Sequence, residues 1–160
     1  MREYVEQIKK SPIIGIIGAS MCDERAYQKA YEVGRLIAEK KAVLICGGLQ
    51  GVMEAAARGA FEAGGLTIGI IPGFSVEDAN PYIAIPIVTG LSHARNIIIV
   101  RTAQVLIAVS GSYGTLSEIA FALSLKKHVI SLGSWDVDPA IIKAASPLDA
   151  VDKAFKAMTL

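Results

Sequence analysis

The chain has 160 residues, 52% of them apolar, and sixteen basic against fifteen acidic side chains leave a net charge of +1. The basic residues are scattered, with doublets only at Lys9-Lys10, Lys40-Lys41 and Lys126-Lys127, which argues against a nucleic-acid surface. The longest nearly uncharged stretch, 59–76, is broken by glycines and Pro72, so it is no membrane span. No compositional shift divides the chain, which gives one domain over 1–160. The charged opening Met1-Arg2-Glu3-Tyr4-Val5-Glu6 is unlike a secretory signal, and a cytoplasmic location is expected. Cys22 and Cys46 lack the spacing of a zinc site and are too few for a disulfide framework.

The run Ile13-Ile14-Gly15-Ile16-Ile17 is a buried strand that breaks at Gly18-Ala19-Ser20. That break is a weak phosphate-turn signal: a dinucleotide fingerprint needs G-x-G-x-x-G, and Gly18 is followed instead by Ser20 and Asp23, which disfavours NAD. A simple strand-to-helix turn fits Gly18 and Ser20 equally. From Cys22 or Asp23 a helix carries Ala26, Ala30, Val33, Gly34 and Ile37 on one stripe and closes at Lys40-Lys41. Ala42 to Cys46 is the second strand. Gly47-Gly48-Leu49-Gln50-Gly51 follows as a glycine turn, then a helix through Met53, Ala56, Ala57 and Ala60 stops at Gly64-Gly65.

Leu66 to Ile71 is the third strand, closed by Pro72-Gly73 and a polar loop from Phe74 to Pro81. Ile83 to Val88, with Pro86, is an edge or irregular strand. The stretch Thr89 to Arg101 is ambiguous: Ser92 is placed to cap a helix, whereas the β-branched run Ile97 to Val100 has the composition of a strand. As a helix it is apolar most of the way round, which calls for burial on more than one side and points to a subunit contact and a homo-oligomer.

Val105 to Val109 is a strand buried on both faces, and Leu116, Ile119, Ala120 and Leu123 then fall at helical spacing. Between them Gly111 and Gly114 allow a ligand close to the backbone, and the free N–H groups of a new helix favour phosphate or carboxylate. His128 to Leu132 is a further strand, followed by a turn-rich loop over 133–139. Ser146-Pro147-Leu148-Asp149 supplies a cap, a proline at the first helical position and an acidic residue at the third, so a last helix runs to about Ala157. Strand and helix alternate throughout, which implies right-handed crossovers and an α/β fold: a doubly wound parallel sheet, Rossmann-like, in three α/β/α layers.

The two turns, Cys46-Gly47-Gly48-Leu49-Gln50-Gly51-Val52-Met53 and Ser110-Gly111-Ser112-Tyr113-Gly114-Thr115-Leu116-Ser117-Glu118, resemble the GGGxxGxM and PGGxGTxxE motifs of one Rossmann-like family. Its members, formerly labelled possible lysine decarboxylases, include the LOG phosphoribohydrolases and the molybdenum-cofactor carrier proteins. The resemblance spans nearly the whole chain. Its short length, Asn80-Pro81-Tyr82 and Thr89-Gly90-Leu91 are similar to the carrier-like branch. The family's fold implies a dimer or higher oligomer and a helix after Ser92.

By this resemblance the phosphate or nucleotide site comprises Gly18, Ser20, Gly47, Gly48, Gly51, Met53, Arg95, Gly111, Ser112, Tyr113, Gly114, Thr115 and Glu118. The hydrolase branch implies catalytic roles for Arg95 and Glu118. The chain departs from the motifs where Ser110 replaces proline, Ser112 and Cys46 each replace a glycine, and Ala94-Arg95-Asn96 replaces Glu-Arg-Lys. Glu118 also has a purely structural reading, because Thr115-x-x-Glu118 has the spacing of a capping box. A structural pair with Glu118 is likewise the alternative for Arg95.

Tyr82, Tyr113 and Trp135 either stack on a base or pack on neighbours. His93 and His128 have no third partner, and no metal is assigned. Lysine decarboxylation is rejected, since no lysine lies near either turn to hold pyridoxal phosphate. Two functions remain. The first is binding or carriage of a small phosphorylated ligand, a nucleotide or the molybdenum cofactor, with no required cofactor. The second is a phosphoribohydrolase releasing a base from a nucleoside 5′-monophosphate.

Overall fold

The computed structural model describes residues 1–159. In chain order the elements are α1 (Arg2–Lys10), β1 (Ile13–Gly18), α2 (Glu24–Glu39), β2 (Val43–Cys46), α3 (Val52–Glu62), β3 (Thr67–Ile71) and β4 (Ile85–Val88). There follow α4 (Asn96–Thr102), β5 (Val105–Val109), α5 (Tyr113–Ser124), β6 (Val129–Leu132), β7 (Ile142–Lys143) and α6 (Pro147–Ala157). The strands form one sheet in the order β4-β3-β2-β1-β5-β6-β7. Every neighbouring pair is parallel, with Ile14 opposite both Leu44 and Val105.

Alternate residues of the central strands feed opposite faces, as the two-residue strand period requires. Ile14, Ile16, Leu44, Ile107 and Ile130 pack with α2, α3 and α6, whereas Ile17, Ile45, Leu106 and Ala108 pack with α4 and α5. This is the three-layer, doubly wound architecture expected from the strand–helix alternation. The chain steps from β1 outward to β4, then returns to lay β5 against the other side of β1. The carboxyl ends of β1 and β5 therefore flank the switch point at which open α/β sheets bind ligands.

Local chemistry explains the element ends. Asp23 caps α2 by accepting from the Ala26 N–H (2.8 Å), and Ser146 caps α6 by accepting from the Asp149 N–H (3.1 Å) with Pro147 at the first position. The ambiguous stretch is helical, since α4 buries Ile99 and Val100 completely against the sheet and that packing overrides the β-branched preference. Ser92 is not its cap: it takes a positive φ of 51° and opens a 3-10 turn, Ser92–Arg95, that leads into α4. Only Ile97 and Ile98 of the β-branched run keep partial exposure. Two elements were not anticipated: α1, which buries none of its residues, and the two-residue edge strand β7. Among the described residues no helix is long and apolar enough to cross a membrane.

Candidate functional site

A cavity of about 110 Å³ opens at the carboxyl ends of β1 and β5. Gly18 and Ser20 line it from the end of β1, and Leu49 and Met53 from the turn after β2. His93 and Arg95 enter from the 3-10 turn before α4 and Asn96 from the start of α4, and Ser112, Gly114, Thr115 and Glu118 from the first turns of α5. Four loops that are remote in sequence thus converge on one spot.

The turn into α5 supplies the helix end. Ser112 is the N-cap residue, and its backbone N–H donates to Thr115 Oγ1 (3.3 Å) in a reciprocal Ser112–Thr115 capping arrangement. The capping box therefore sits three residues earlier than the Thr115-x-x-Glu118 spacing suggests, and it leaves Glu118 uninvolved. Gly114 follows in the first helical turn with an ordinary φ, and a Cβ built on it meets no atom within 4 Å. Nothing in the protein requires a glycine there, although glycine costs helix stability relative to alanine. Ser110 takes a φ of 53°, which a proline cannot adopt, so the backbone here differs from that of a PGG turn.

The turn after β2 is packed solid. A Cβ on Gly47 would fall 2.6 Å from an Arg95 guanidinium nitrogen and 2.8 Å from the Met53 sulfur. Gly48 and Gly51 have positive φ and lie against Ile71 and the Ala19–Ser20 backbone respectively. Gly47, Gly48 and Gly51 form the wall behind the cavity, not its lining. Gly111 likewise lies behind the second turn, against Thr115, and Tyr113 projects outward from the rim with 83% exposure.

Arg95 is buried, and three of its five N–H donors bond the protein. Its Nε donates to Ile70 O (2.8 Å), one terminal nitrogen to Gly47 O (3.4 Å) and the other to Asn96 Oδ1. Asn96 Nδ2 in turn donates to Ser117 Oγ (3.0 Å), and Ser117 Oγ to Gly114 O (2.7 Å). Arg95 thereby ties β3, the first turn and α5 together. It makes no direct ion pair with Glu118 among the described residues; the two couple through space.

Glu118 is 6% exposed and lines the cavity. Burial raises its carboxyl pKa to about 8, against the opposing pull of the Arg95 charge, and no neighbour's hydrogen bond stabilises the carboxylate. At neutral pH it is mostly a neutral acid facing the cavity. Burial also pulls the Arg95 guanidinium down, with Glu118 opposing, yet an arginine stays charged in a protein.

Four contributors escaped the sequence reading. Leu49, His93 and Asn96 line the cavity. Asn80, 4% exposed, locks the first turn from outside: its backbone N–H donates to Gly48 O (2.8 Å) and its Nδ2 to Leu49 O (2.8 Å). In a planar trans peptide the N–H points opposite the carbonyl, so this grip turns the Leu49 and Gln50 N–H groups away from Asn80. The Asn80-Pro81-Tyr82 tripeptide was visible in the sequence, but its partner turn lies thirty-two residues earlier. Cys46 is wholly buried beneath the same turn, with its thiol pushed up to about 12, and is inert. Among the described residues no three His, Cys, Asp or Glu side chains gather as a metal site requires.

Known proteins share this fold. The molybdenum cofactor binding protein from the phototrophic bacterium Rippkaea orientalis superposes with a TM-score of 0.88 at 37% identity, over 94% of this chain and 99% of that one. The molybdenum cofactor carrier protein of Chlamydomonas reinhardtii gives 0.83 at 36% identity, over 94% of this chain and 100% of that one. An uncharacterised protein of Archaeoglobus fulgidus is 55% identical over 119 residues, 74% of this chain and 78% of that protein. A probable cytokinin riboside 5′-monophosphate phosphoribohydrolase of Oryza sativa subsp. japonica is 28% identical over 145 residues, 86% of this chain but only 64% of the rice protein. Residues 11–157, from just after α1 through the end of α6, match the SLOG cluster4 family, and the chain belongs to that family.

Proposed function

We propose that this protein binds and carries a small phosphorylated ligand of the nucleotide or molybdenum-cofactor type. The observation that carries the reading is the pairing of Gly114 with Glu118. One is a helix-start glycine with nothing around it, and the other is a buried acid without a protein hydrogen bond. Both face the same cavity. An empty space beside the first turn of α5 suits an oxyanion, which the helix N–H groups and dipole favour. A protonated Glu118 adds a donor in place of a repelling charge. The likeness to the two molybdenum-cofactor proteins supports carriage of that cofactor.

The hydrolase reading has one observation in its favour, the raised pKa of Glu118, since a general acid must hold its proton near neutral pH. Against it, Glu118 is the only acid among the described residues that line the cavity. Cleavage of an N-glycosidic bond passes through an oxocarbenium-like centre that needs a carboxylate as well as an acid. Self-association belongs to the same proposal. Ile99 and Val100 are buried within the chain itself, whereas Phe74, Val76, Ile85, Ile87, Val88 and Leu91, among other exposed apolar side chains, gather around the β4 edge, so a second copy fits there.

The test is to purify the protein from cells that make the molybdenum cofactor and analyse the bound small molecules by mass spectrometry. In parallel, AMP is incubated with the protein and free base is followed by chromatography. The carrier reading expects a copurifying pterin or nucleotide and no base release. Base release at ordinary enzyme rates that disappears in Glu118→Ala overturns it in favour of hydrolysis.

A further inference from the structure

We propose that Tyr113, backed by Trp135, is the platform that selects ligands carrying a flat fused heteroaromatic ring, a purine or a pterin. The inference rests on the phosphate-site reading above and names the part of the ligand which that site leaves unaccounted for.

The cavity, at about 110 Å³, is well below the roughly 300 Å³ at which small-molecule sites begin, so it admits only the phosphate-bearing end of such a ligand. The remainder lies across the rim. Ser112 and Gly114 both line the cavity, and Tyr113 stands between them at the first position of α5. Its ring is 83% exposed, an unusual state for a large aromatic that makes no hydrogen bond of its own to another described residue. The ring is nonetheless held. It stacks on Trp135 with centroids 6.3 Å apart and planes 26° apart. Trp135 is anchored to the same turn, because its indole Nε1–H donates to Ser112 O (3.0 Å). The hydrogen bond that orients the indole thus ends on the residue that caps the ligand-facing helix, and both rings are attached to the same turn.

With Trp135 on one side, the opposite face of Tyr113 is free. A pre-oriented aromatic face costs a ligand little ordering on contact. Stacking on it tolerates any flat base, so the platform separates ring-bearing phosphates from bare sugar phosphates and does not read ring substituents.

Trp135 is the only tryptophan in the chain, so its emission reports on this spot alone. The experiment titrates the full-length protein with ribose 5-phosphate and with guanosine 5′-monophosphate, following thermal stabilisation and Trp135 fluorescence. Both probes are expected to stabilise the protein, but only the nucleotide quenches Trp135, and it binds roughly ten-fold more tightly. Tyr113→Ala and Tyr113→Leu are expected to reduce nucleotide affinity to that of ribose 5-phosphate and leave the sugar phosphate unaffected, whereas Tyr113→Phe retains the wild-type difference. Equal affinity for the two probes in the wild type, or nucleotide affinity unchanged in Tyr113→Ala, overturns the platform while the phosphate site stands. Binding of neither probe removes the phosphate site and the platform with it.

Discussion

The turn after β2 and the turn after β5 look alike on paper, each a cluster of glycines between a buried parallel strand and a helix, yet the protein uses them differently. Around the first, protein atoms fill the space: Gly47 lies under the Arg95 guanidinium, Gly51 against the backbone that follows β1, and Asn80 grips two carbonyls from outside. Around the second, the cap is made by Ser112 and Thr115, and Gly114 faces open space. One turn is a packed buttress and the other an open cradle. Glycine content alone does not identify a ligand site; a glycine that the fold does not need is the better sign.

The sharpest contrast is Gly51→Ala, expected to cost about 3 kcal/mol because its φ of 65° disfavours a side chain and the methyl group would fall against the Ala19 carbonyl oxygen. Urea unfolding measures it, and a cost under about 0.5 kcal/mol, the range of ordinary surface changes, breaks the buttress description. Glu118 tests the cradle through pH. Its folded pKa of about 8 lies above its unfolded value, so its contribution to stability is full in acid and is lost as pH rises through 8. Wild-type stability relative to Glu118→Gln is therefore expected to fall on the order of 3–4 kcal/mol between pH 5 and pH 8. Parallel pH profiles for the two proteins contradict a buried, unpaired acid. Binding of a phosphate ligand to the wild type weakens over the same rise, as the acid becomes a repelling carboxylate.

Asn80→Ala removes the side-chain donor from Leu49 O and Gly48 O, while its backbone N–H still holds Gly48 O, and is expected to cost about 2 kcal/mol. Chemical denaturation checks the size. The smallest effect is the most telling in sign: Gly114→Ala is expected to stabilise the free protein by about 0.5 kcal/mol, since alanine is the better helix former and meets no neighbour. A clear loss of stability shows instead that Gly114 serves the fold, and the contrast between the turns collapses.

The sequence displays most of this fold because its signals are local. Buried apolar runs ending in glycine, and Ser146-Pro147 opening α6, each carry their cause within a few residues. What was hidden depends on distant partners. Ile97 to Val100 has strand composition and becomes helical only because the sheet buries Ile99 and Val100. The short helix α1 carries a helical stripe, Tyr4, Val5 and Ile8 on one face, but charged residues surround it and the fold buries none of its residues. Asn80 is an ordinary loop residue until its partner turn, thirty-two positions earlier, is brought beside it. Thr115-x-x-Glu118 misled for the opposite reason. A local pattern was present, but Ser112 took the capping role first.

The central claim is that the space beside Gly114 holds the ligand's phosphate, and Gly114→Val tests it most directly. Gly114 lines the cavity, and the Cβ of a valine there meets no atom of the surrounding elements within 4 Å. Melting curves with and without guanosine 5′-monophosphate are to be compared for wild type and variant. The account predicts that the variant melts close to the wild type when free and gains nothing from the nucleotide, while the wild type is stabilised. An equal nucleotide-induced shift in both proteins contradicts it and moves the ligand elsewhere.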